Sequence, residues 1–443
     1  MQHMSIPQAQ IIPRSQHPIS RRLIDEDALR VLYQLYRAGH TAYLVGGGVR
    51  DLLLGRVPKD FDVVTSARPA QVRRVFRNCR LIGRRFRLAH IHFLDGKIIE
   101  LSTFRAQPEM GDSEADGLVT RDNKFGTPRL DALRRDFTIN SLFYDVSTFS
   151  VIDYVGGLED VHRGVIRTIG DPHLRFQEDP VRMIRAIRFA ARLGFKVESE
   201  TWDAMSELAY CIEKSPPPRV LEEWARLLEE GAAAQAFDLM DKVGLLEFLE
   251  PSLEAYLRQA EQGDIEGDPD GRLFFRLFAG ADGLRQQGLR LPRPLLIALW
   301  CLPLLADNGF FEEEGDSVYR DVAFPVLLRL GIARKESDQT QDMLVLLRRL
   351  VDRKKRRKAG KPLVEREFFP EALVLLSLWQ EASGEHEAEL ARWQPELPKV
   401  LTRFEDSKKK IRPPERRREG PPERASRAPQ RRRVRRRATP QED

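Results

Sequence analysis

The 443-residue chain is 42% hydrophobic and 32% charged, with 29 Gly and 28 Pro; these are soluble-globular values that exclude collagen-like and wholly disordered chains and leave room for about three domains. Cys79, Cys211 and Cys301 are too scattered for a disulfide framework or a zinc-ligand spacing, and the longest apolar run, PLLIALWCLPLLA, is too short to span a bilayer and is broken by Pro303. The net charge of +6 is carried unevenly: Ser407 to Asp443 holds 15 Lys and Arg against 5 Asp and Glu, so this tail is +10 and the rest of the chain −4.

A reducing, cytoplasmic setting with no targeting or membrane segment is therefore expected. The first twenty residues are polar and contain proline, and read as flexible. Leu23, Ile24, Ala28, Leu29, Val31, Leu32 and Leu35 then form a helix-period stripe that stops near Gly39. The short β-rich runs AYLV, FDVV, RLIG, FRLAHIHF and KIIELSTF follow, with helix-like VRDLLL and PAQVRRVFR between them. Ala106 to Arg129 lacks periodicity and reads as a mobile loop. From about Asp171 to about Arg403 helical patterns dominate, broken at SPPP, EQGDIEGDPDG and DRKKRRKAGKP. The tail, with KKKIR, ERRRE and RRRVRRR, has almost no large apolar residue and reads as a disordered polycation. Counterion release makes RNA or DNA its natural partner, although such tails also merely solubilise.

Three motifs carry chemistry. LVGGGVRDLLLG, Leu44 to Gly55, is a strand end, a glycine turn and a helix opening. On that motif alone a phosphate cradle and a plain strand-to-helix turn fit equally. In KDFDVV, Asp60 and Asp62 would share one face of a strand while Phe61 points into the core, a geometry able to hold two Mg²⁺ ions. Chance alone gives roughly ten acid-x-acid pairs in such a chain, so the neighbouring glycine turn is what raises this pair above a solvated face. Glu100, an acid within KIIELSTFR, and Asp136, in RRDFTIN, are candidate further carboxylates; a salt-bridged strand Glu and a helix cap are their structural alternatives. His90 and His92 fit a structural role better than metal ligation.

The order LVGGGVRD, KDFDVV, ELSTFR, RRDFTIN, then IGDPHLRFQEDPVRMIRAIRFAARLGF resembles the bacterial class II nucleotidyltransferases, the poly(A) polymerases and tRNA CCA-adding enzymes of the polymerase-beta superfamily, over roughly residues 17–250. The resemblance implies that Asp60 and Asp62 are the metal-binding catalytic pair and that Asp136 counts with the catalytic acids, while Glu100 stays a catalytic candidate from its place in the strand alone. It also implies that Gly46, Gly47 and Arg50 contact the triphosphate, that Arg135 and Asp136 lie near the ribose, and that Asp179 and Arg182 of EDPVR read the base. An acceptor beside a donor suits adenine or cytosine and mismatches guanine or uracil. Two features lean toward the poly(A) polymerase branch: LIGRRFRLAHIHF, with Arg84 and Arg85 expected on an RNA-facing surface, and the tail, with Arg431, Arg432, Arg433, Arg435, Arg436 and Arg437 expected to grip RNA. SPPPRVLEEW, with Pro218 before Arg219, departs from the CCA-adding pattern.

The expectation is an α+β protein with a polymerase-beta-like head of mixed sheet followed by all-helical regions. The expected boundaries are a flexible segment at 1–20, a nucleotidyltransferase head at 21–170, a helical neck at 171–250, a helical body at 251–405 and the tail at 406–443. The expected activity is Mg²⁺-dependent, template-independent transfer of AMP from ATP to RNA 3′ ends, by a monomer acting with RNA-decay proteins. A tRNA CCA-adding enzyme and a non-catalytic RNA-binding protein are the alternatives.

Overall fold

The computed structural model describes residues 8–83, 88–94, 96–106, 124–265, 267–312, 317–352 and 362–405. Strand β1 (Gln10–Ile12) lies within the segment expected to be flexible. It is held because Ile12 is buried, its backbone pairs antiparallel with a later strand, and His17 Nε2 sits 3.0 Å from the Phe149 carbonyl. Helix α1 (Glu26–Arg37) starts where Asp25 accepts from the N–H groups of Asp27 and Ala28, and buries Ala28, Val31, Leu32 and Leu35, four residues of the apolar stripe. Then come β2 (Ala42–Val45), α2 (Gly47–Leu53), β3 (Asp62–Thr65), α3 (Pro69–Val75), β4 (Cys79–Ile82), β5 (Leu88–His92) and β6 (Ile98–Thr103). Helix α4 (Pro128–Leu133), β7 (Phe143–Asp145), β8 (Ser150–Asp153) and α5 (Gly157–Arg163) follow. Part of the expected loop 106–129 is thus ordered: Arg105 bridges Phe125, and Thr127 caps α4 with Pro128 at its first position.

The eight strands form one mixed sheet in the order β1-β8-β7-β2-β3-β6-β5-β4. Only β3 and β6 run parallel within it. Helix α1 packs on β2 and β3 over one face, while Val45, Val64, Phe104, Ala132, Phe143 and Ile152 form a small second core. Alternation along β2 and β3 explains this: Leu44 and Val63 join the main core, Val45 and Val64 the smaller one.

Among the described residues that follow, the one strand pairing is a two-residue pair in which β9 (Val165–Ile166) runs parallel to β10 (Lys196–Val197), and the other elements are helices. Between them lie α6 (Pro172–Glu178) and α7 (Val181–Leu193). Helices α8 (Ser199–Glu207), α9 (Pro217–Glu229), α10 (Ala233–Lys242), α11 (Leu246–Leu249) and α12 (Pro251–Glu261) follow, then α13 (Leu273–Gln286), α14 (Arg293–Asp307), α15 (Phe324–Arg329), α16 (Arg334–Val351) and α17 (Phe369–Ser383). Asp171 caps α6, with Pro172 at its first position, so the chain turns sharply into this array. Helix α7 packs on α9 and α10, and α10 packs on α13. Aromatic rings bind these layers: Trp224 of α9 meets Phe237 of α10 and Trp300 of α14, and Phe237 meets Phe274 and Phe278 of α13.

Candidate active site

Strand β2 ends at Val45, and the chain turns at Gly46 with φ +76° and ψ −141°, a conformation that side-chain-bearing residues do not hold without strain. A Cβ there would lie 3.7 Å from Arg135 Nη1 and 3.9 Å from Asp62 Oδ2; one on Gly48 would press to 3.2 Å from the Asp60 carbonyl. The glycine turn therefore rests directly on the acids. Val45 pairs with Asp62, and because β2 stops there, Asp60 has no ladder partner and lies in the lead-in to β3 rather than inside the strand. The parallel register Val63↔Leu101 then sets Asp62 beside Glu100 on one face. Asp62, Asp60 and Glu100 line one cleft of about 820 Å³ together with Gly46, Gly47 and Arg50. The Asp62 carboxyl is pushed up to about 6, by burial against the cleft walls first and then by Glu100 and Asp60, with Arg135 opposing.

Asp136 closes the head side of the cleft. Burial opposes its ionisation, but the Arg185 guanidinium, the Phe137 N–H, Arg182 and Arg135 together hold its carboxyl below the ordinary range. Arg185 Nη2 sits 2.8 Å from Asp136 Oδ2, so an α7 arginine neutralises the head carboxylate. Arg135 donates to Asp131 Oδ2 from Nε at 3.1 Å and from Nη2 at 2.8 Å, and faces Asp62. Arg50 is 1% exposed, and its guanidinium is already engaged: Nε and Nη2 donate to Asp51, and Nη1 to Asn140 Oδ1 at 2.6 Å.

Asp179 and Arg182 stand across from the acids. They line a smaller space of about 330 Å³ with Asp62, Glu100, Arg135, Asp136 and Arg185. Arg182 Nη1 donates to the Arg175 carbonyl at 2.7 Å and lies 3.1 Å from Glu178 Oε2. Arg219 Nη2 donates to Asp179 Oδ2 at 2.7 Å, while Asp179 Oδ1 is buried with no hydrogen-bond partner among the described residues. The pair thus sets a buried carboxylate acceptor beside a guanidinium donor. Arg175 ties this pair to the head: its Nη2 donates to the Arg134 and Arg135 carbonyls at 2.8 and 2.6 Å.

Sequence reasoning did not single out Lys59, Arg175, Asn140 or Arg185 as site residues. Each lies in or beside a motif that was read, and a cation next to Asp60 was the one signal available. Arg84, Arg85, Arg431, Arg432, Arg433, Arg435, Arg436 and Arg437 lie outside the described residues. His90 Nε2 lies 3.7 Å from Glu100 Oε1 across the β5–β6 pair. Among the described residues no three His, Cys, Asp or Glu side chains converge tightly enough to cage a metal ion. Asp60 and Asp62 nonetheless fit one kind of ion: Mg²⁺ takes one or two carboxylates and completes its octahedron with water and substrate phosphate. Burial first, and then Glu100 and Asp60, make the ionised Asp62 carboxylate costly, a cost that such a cation would offset.

Polymerase-beta-like nucleotidyltransferases are the class to which this head and its helical array correspond. The crystal structure of the Bacillus stearothermophilus CCA-adding enzyme in complex with CTP matches with a TM-score of 0.58 at 26% identity, covering 85% of this chain and 82% of that one. Residues 42–167 match the family model of the poly A polymerase head domain, and residues 194–257 match that of the probable RNA and SrmB binding site of polymerase A. Poly(A) polymerase I of Escherichia coli O6:H1 is 43% identical over 88% of this chain and 85% of its own length. The CCA-adding enzyme of Bacillus velezensis is 36% identical over only 52% of this chain and 57% of its own. The chain belongs to the poly(A) polymerase family.

Proposed function

We propose that this protein is a Mg²⁺-dependent polynucleotide adenylyltransferase that adds AMP from ATP to RNA 3′ ends and releases pyrophosphate. The observation that carries the reading is a pair of adjoining spaces, one lined by Asp60 and the other by Asp179 and Arg182, that share Asp62 and Glu100, in a chain akin to poly(A) polymerase I over most of its length. The terminal RNA 3′ oxygen bonds to the α-phosphorus, the α–β phosphoanhydride bond breaks, and pyrophosphate leaves with its electron pair. The hydroxyl proton passes to solvent in the cleft that Asp60, Asp62 and Glu100 line. Asp60 and Asp62 would hold the divalent ions generally used in this family, which supply charge neutralisation at the phosphoryl centre. The backbone of Gly46 and Gly47 cradles the triphosphate, and Arg50 acts on it through its bonds to Asp51 and Asn140, which fix the turn. Arg135 and Asp136 flank the ribose. Asp179 and Arg182 read an amino group beside a ring acceptor, which admits adenine or cytosine.

Action within a cytoplasmic RNA-decay pathway, as a monomer with protein partners, completes the proposal; no helix among the described residues is long and apolar enough to cross a membrane. The test offers the protein and Mg²⁺ an unstructured RNA, and separately a tRNA lacking its terminal CCA, with ATP, CTP or both. Long extension with ATP alone on both RNAs is expected. A requirement for CTP with arrest after CCA would replace this reading with the CCA-adding one, which the shared head and the CCA-adding relatives favour as the second choice. If an Asp60→Ala, Asp62→Ala variant and the unaltered protein bind RNA equally and neither extends it, the non-catalytic alternative holds.

A further inference from the structure

Beyond Glu100 one face of the sheet reaches solvent. Strand β6 pairs with β5 so that Glu100 stands opposite His90 and Ile98 opposite His92; β5 pairs with β4 so that His90 stands opposite Arg80 and Leu88 opposite Ile82. Residues directly opposite share a face, so Asp62, Glu100, His90 and Arg80 form one row across β3, β6, β5 and β4. The alternate residues Ala89, Ile91, Ile99 and Leu101 point the other way, into the main core. At about 4.8 Å per strand the row is about 14 Å long, room for the last few nucleotides of a stacked strand whose phosphates lie ~3.4 Å apart.

This face is not built for water alone. Ile82 lies two residues to one side of the row and Ile98 two residues to the other, 46% and 43% exposed, where the solvated face of an antiparallel sheet ordinarily carries polar side chains. The His90 and His92 rings are 6.4 Å apart on the strand between them, and Arg80 is exposed at the outer end of the row. Apolar side chains, imidazole rings and a cation are the groups against which unpaired bases stack and their phosphates pair. His90, Ile98 and Glu100 also line the cleft of about 820 Å³ with Asp60 and Asp62, so the face opens into the acids.

Strand order decides which reactant the face receives. Along β2-β3-β6-β5-β4 the glycine turn leaves β2 on one flank of β3, and the exposed face begins at β6 on the other. Asp179 and Arg182 line the smaller space, which His90 and Ile98 do not reach. In phosphoryl transfer the attacking and leaving oxygens lie roughly in line across the phosphorus. A pyrophosphate departing over the Gly46–Gly47 turn therefore sets the attacking hydroxyl on the β6 flank.

We propose that the exposed face of β4, β5 and β6 is the platform for the last nucleotides of single-stranded RNA, with bases against Ile82, His90 and Ile98, a phosphate at Arg80, and the 3′ hydroxyl directed past Glu100 toward Asp62. The proposal rests on the adenylyltransferase reading for which end of the strand lies there, but its test does not. Unstructured RNA carrying 4-thiouridine next to its 3′ end is irradiated with the full-length protein without nucleotide, and the cross-linked peptides are mapped; cross-links to β4 or β5 are expected. Binding of the same RNA is measured at several salt concentrations. His90→Ala and the double variant Ile82→Ser, Ile98→Ser are each expected to weaken it at least about fivefold, what one lost stacked base is worth, and His90→Phe to restore it. Arg80→Gln is expected to reduce the slope of log K against log salt by about 0.7. In extension assays the KM for RNA rises for each weakened variant while the KM for ATP stays within about twofold, with circular dichroism confirming an unchanged fold. Cross-links confined to the helical region, or unaltered binding in all of these variants, would overturn the platform. Raised KM for ATP with unaltered RNA binding would give the face to the nucleotide instead, and a lower molar mass in solution for the double variant, with unaltered RNA binding, would make it an interface between copies of this chain. Cross-links to β4 or β5 and weakened variants in a protein that extends no RNA would uphold the platform and reject the adenylyltransferase reading.

Discussion

Gly46 concentrates several demands in one residue: a positive φ, a position at the helix opening, and a place where any Cβ would meet both Asp62 and Arg135. Gly46→Ala must hold a strained backbone, at about 1–3 kcal/mol, or rotate away and pull the turn from the acids. We expect kcat/KM for ATP to fall at least about tenfold, measured by initial rates, with a smaller loss of thermal stability. Asp62 gives a test of sign. Its native carboxyl is raised to about 6, so the folded state takes up a proton that the unfolded chain releases at lower pH; the resulting penalty to stability is complete above about 6 and fades as pH falls toward the ordinary carboxyl range. Asp62→Asn should therefore raise Tm in metal-free buffer at pH 7.5, raise it less near pH 4, and abolish extension. Equal Tm gains at both pH values would mean that burial and the neighbouring acids do not load this carboxylate.

At the scale of elements, the short helix α6 couples two chemistries. Its Arg175, 6% exposed, donates to the carbonyls that precede Asp136, while its own carbonyl receives Arg182. Arg175→Met would leave two carbonyls without their donor and is expected to destabilise the fold by about 2–4 kcal/mol in urea unfolding. Arg175→Lys should recover part of that loss, since an ammonium still donates but lacks the planar fork. Much of this neighbourhood is legible in sequence because it is local: the Asp171 cap with Pro172, the glycine turn before α2, and the alternation that places Asp62 and Val63 on opposite faces. What is not legible is set by partners far along the chain. Arg50 is held by Asn140, Asp179 by Arg219 and Arg175 by the backbone of the head, and no spacing rule reports a hydrogen bond across 40 or 90 residues. The start of β3 escapes for a similar reason, because it is fixed by where β2 stops pairing rather than by the alternation of KDFDVV.

For the whole molecule, charge is divided by region: a chain that is −4 up to residue 406 carries a +10 tail. Removing residues 407–443 should weaken RNA binding by at least about tenfold at low salt and flatten its salt dependence, while leaving the rate of the chemical step at saturating RNA intact. Unchanged binding at low and high salt would reduce the tail to a solubilising role.

The sheet also has a temporal meaning. Strand β1 finds its partner only in β8, and the parallel β3–β6 pair that aligns Asp62 with Glu100 closes over the intervening α3, β4 and β5. During synthesis the first strand waits for residues 150–153 to emerge, and the acids gain the arginines of α7 only later still. A nascent or truncated chain ending within the head thus carries Asp60, Asp62 and Asp136 without the α7 arginine that pairs with Asp136.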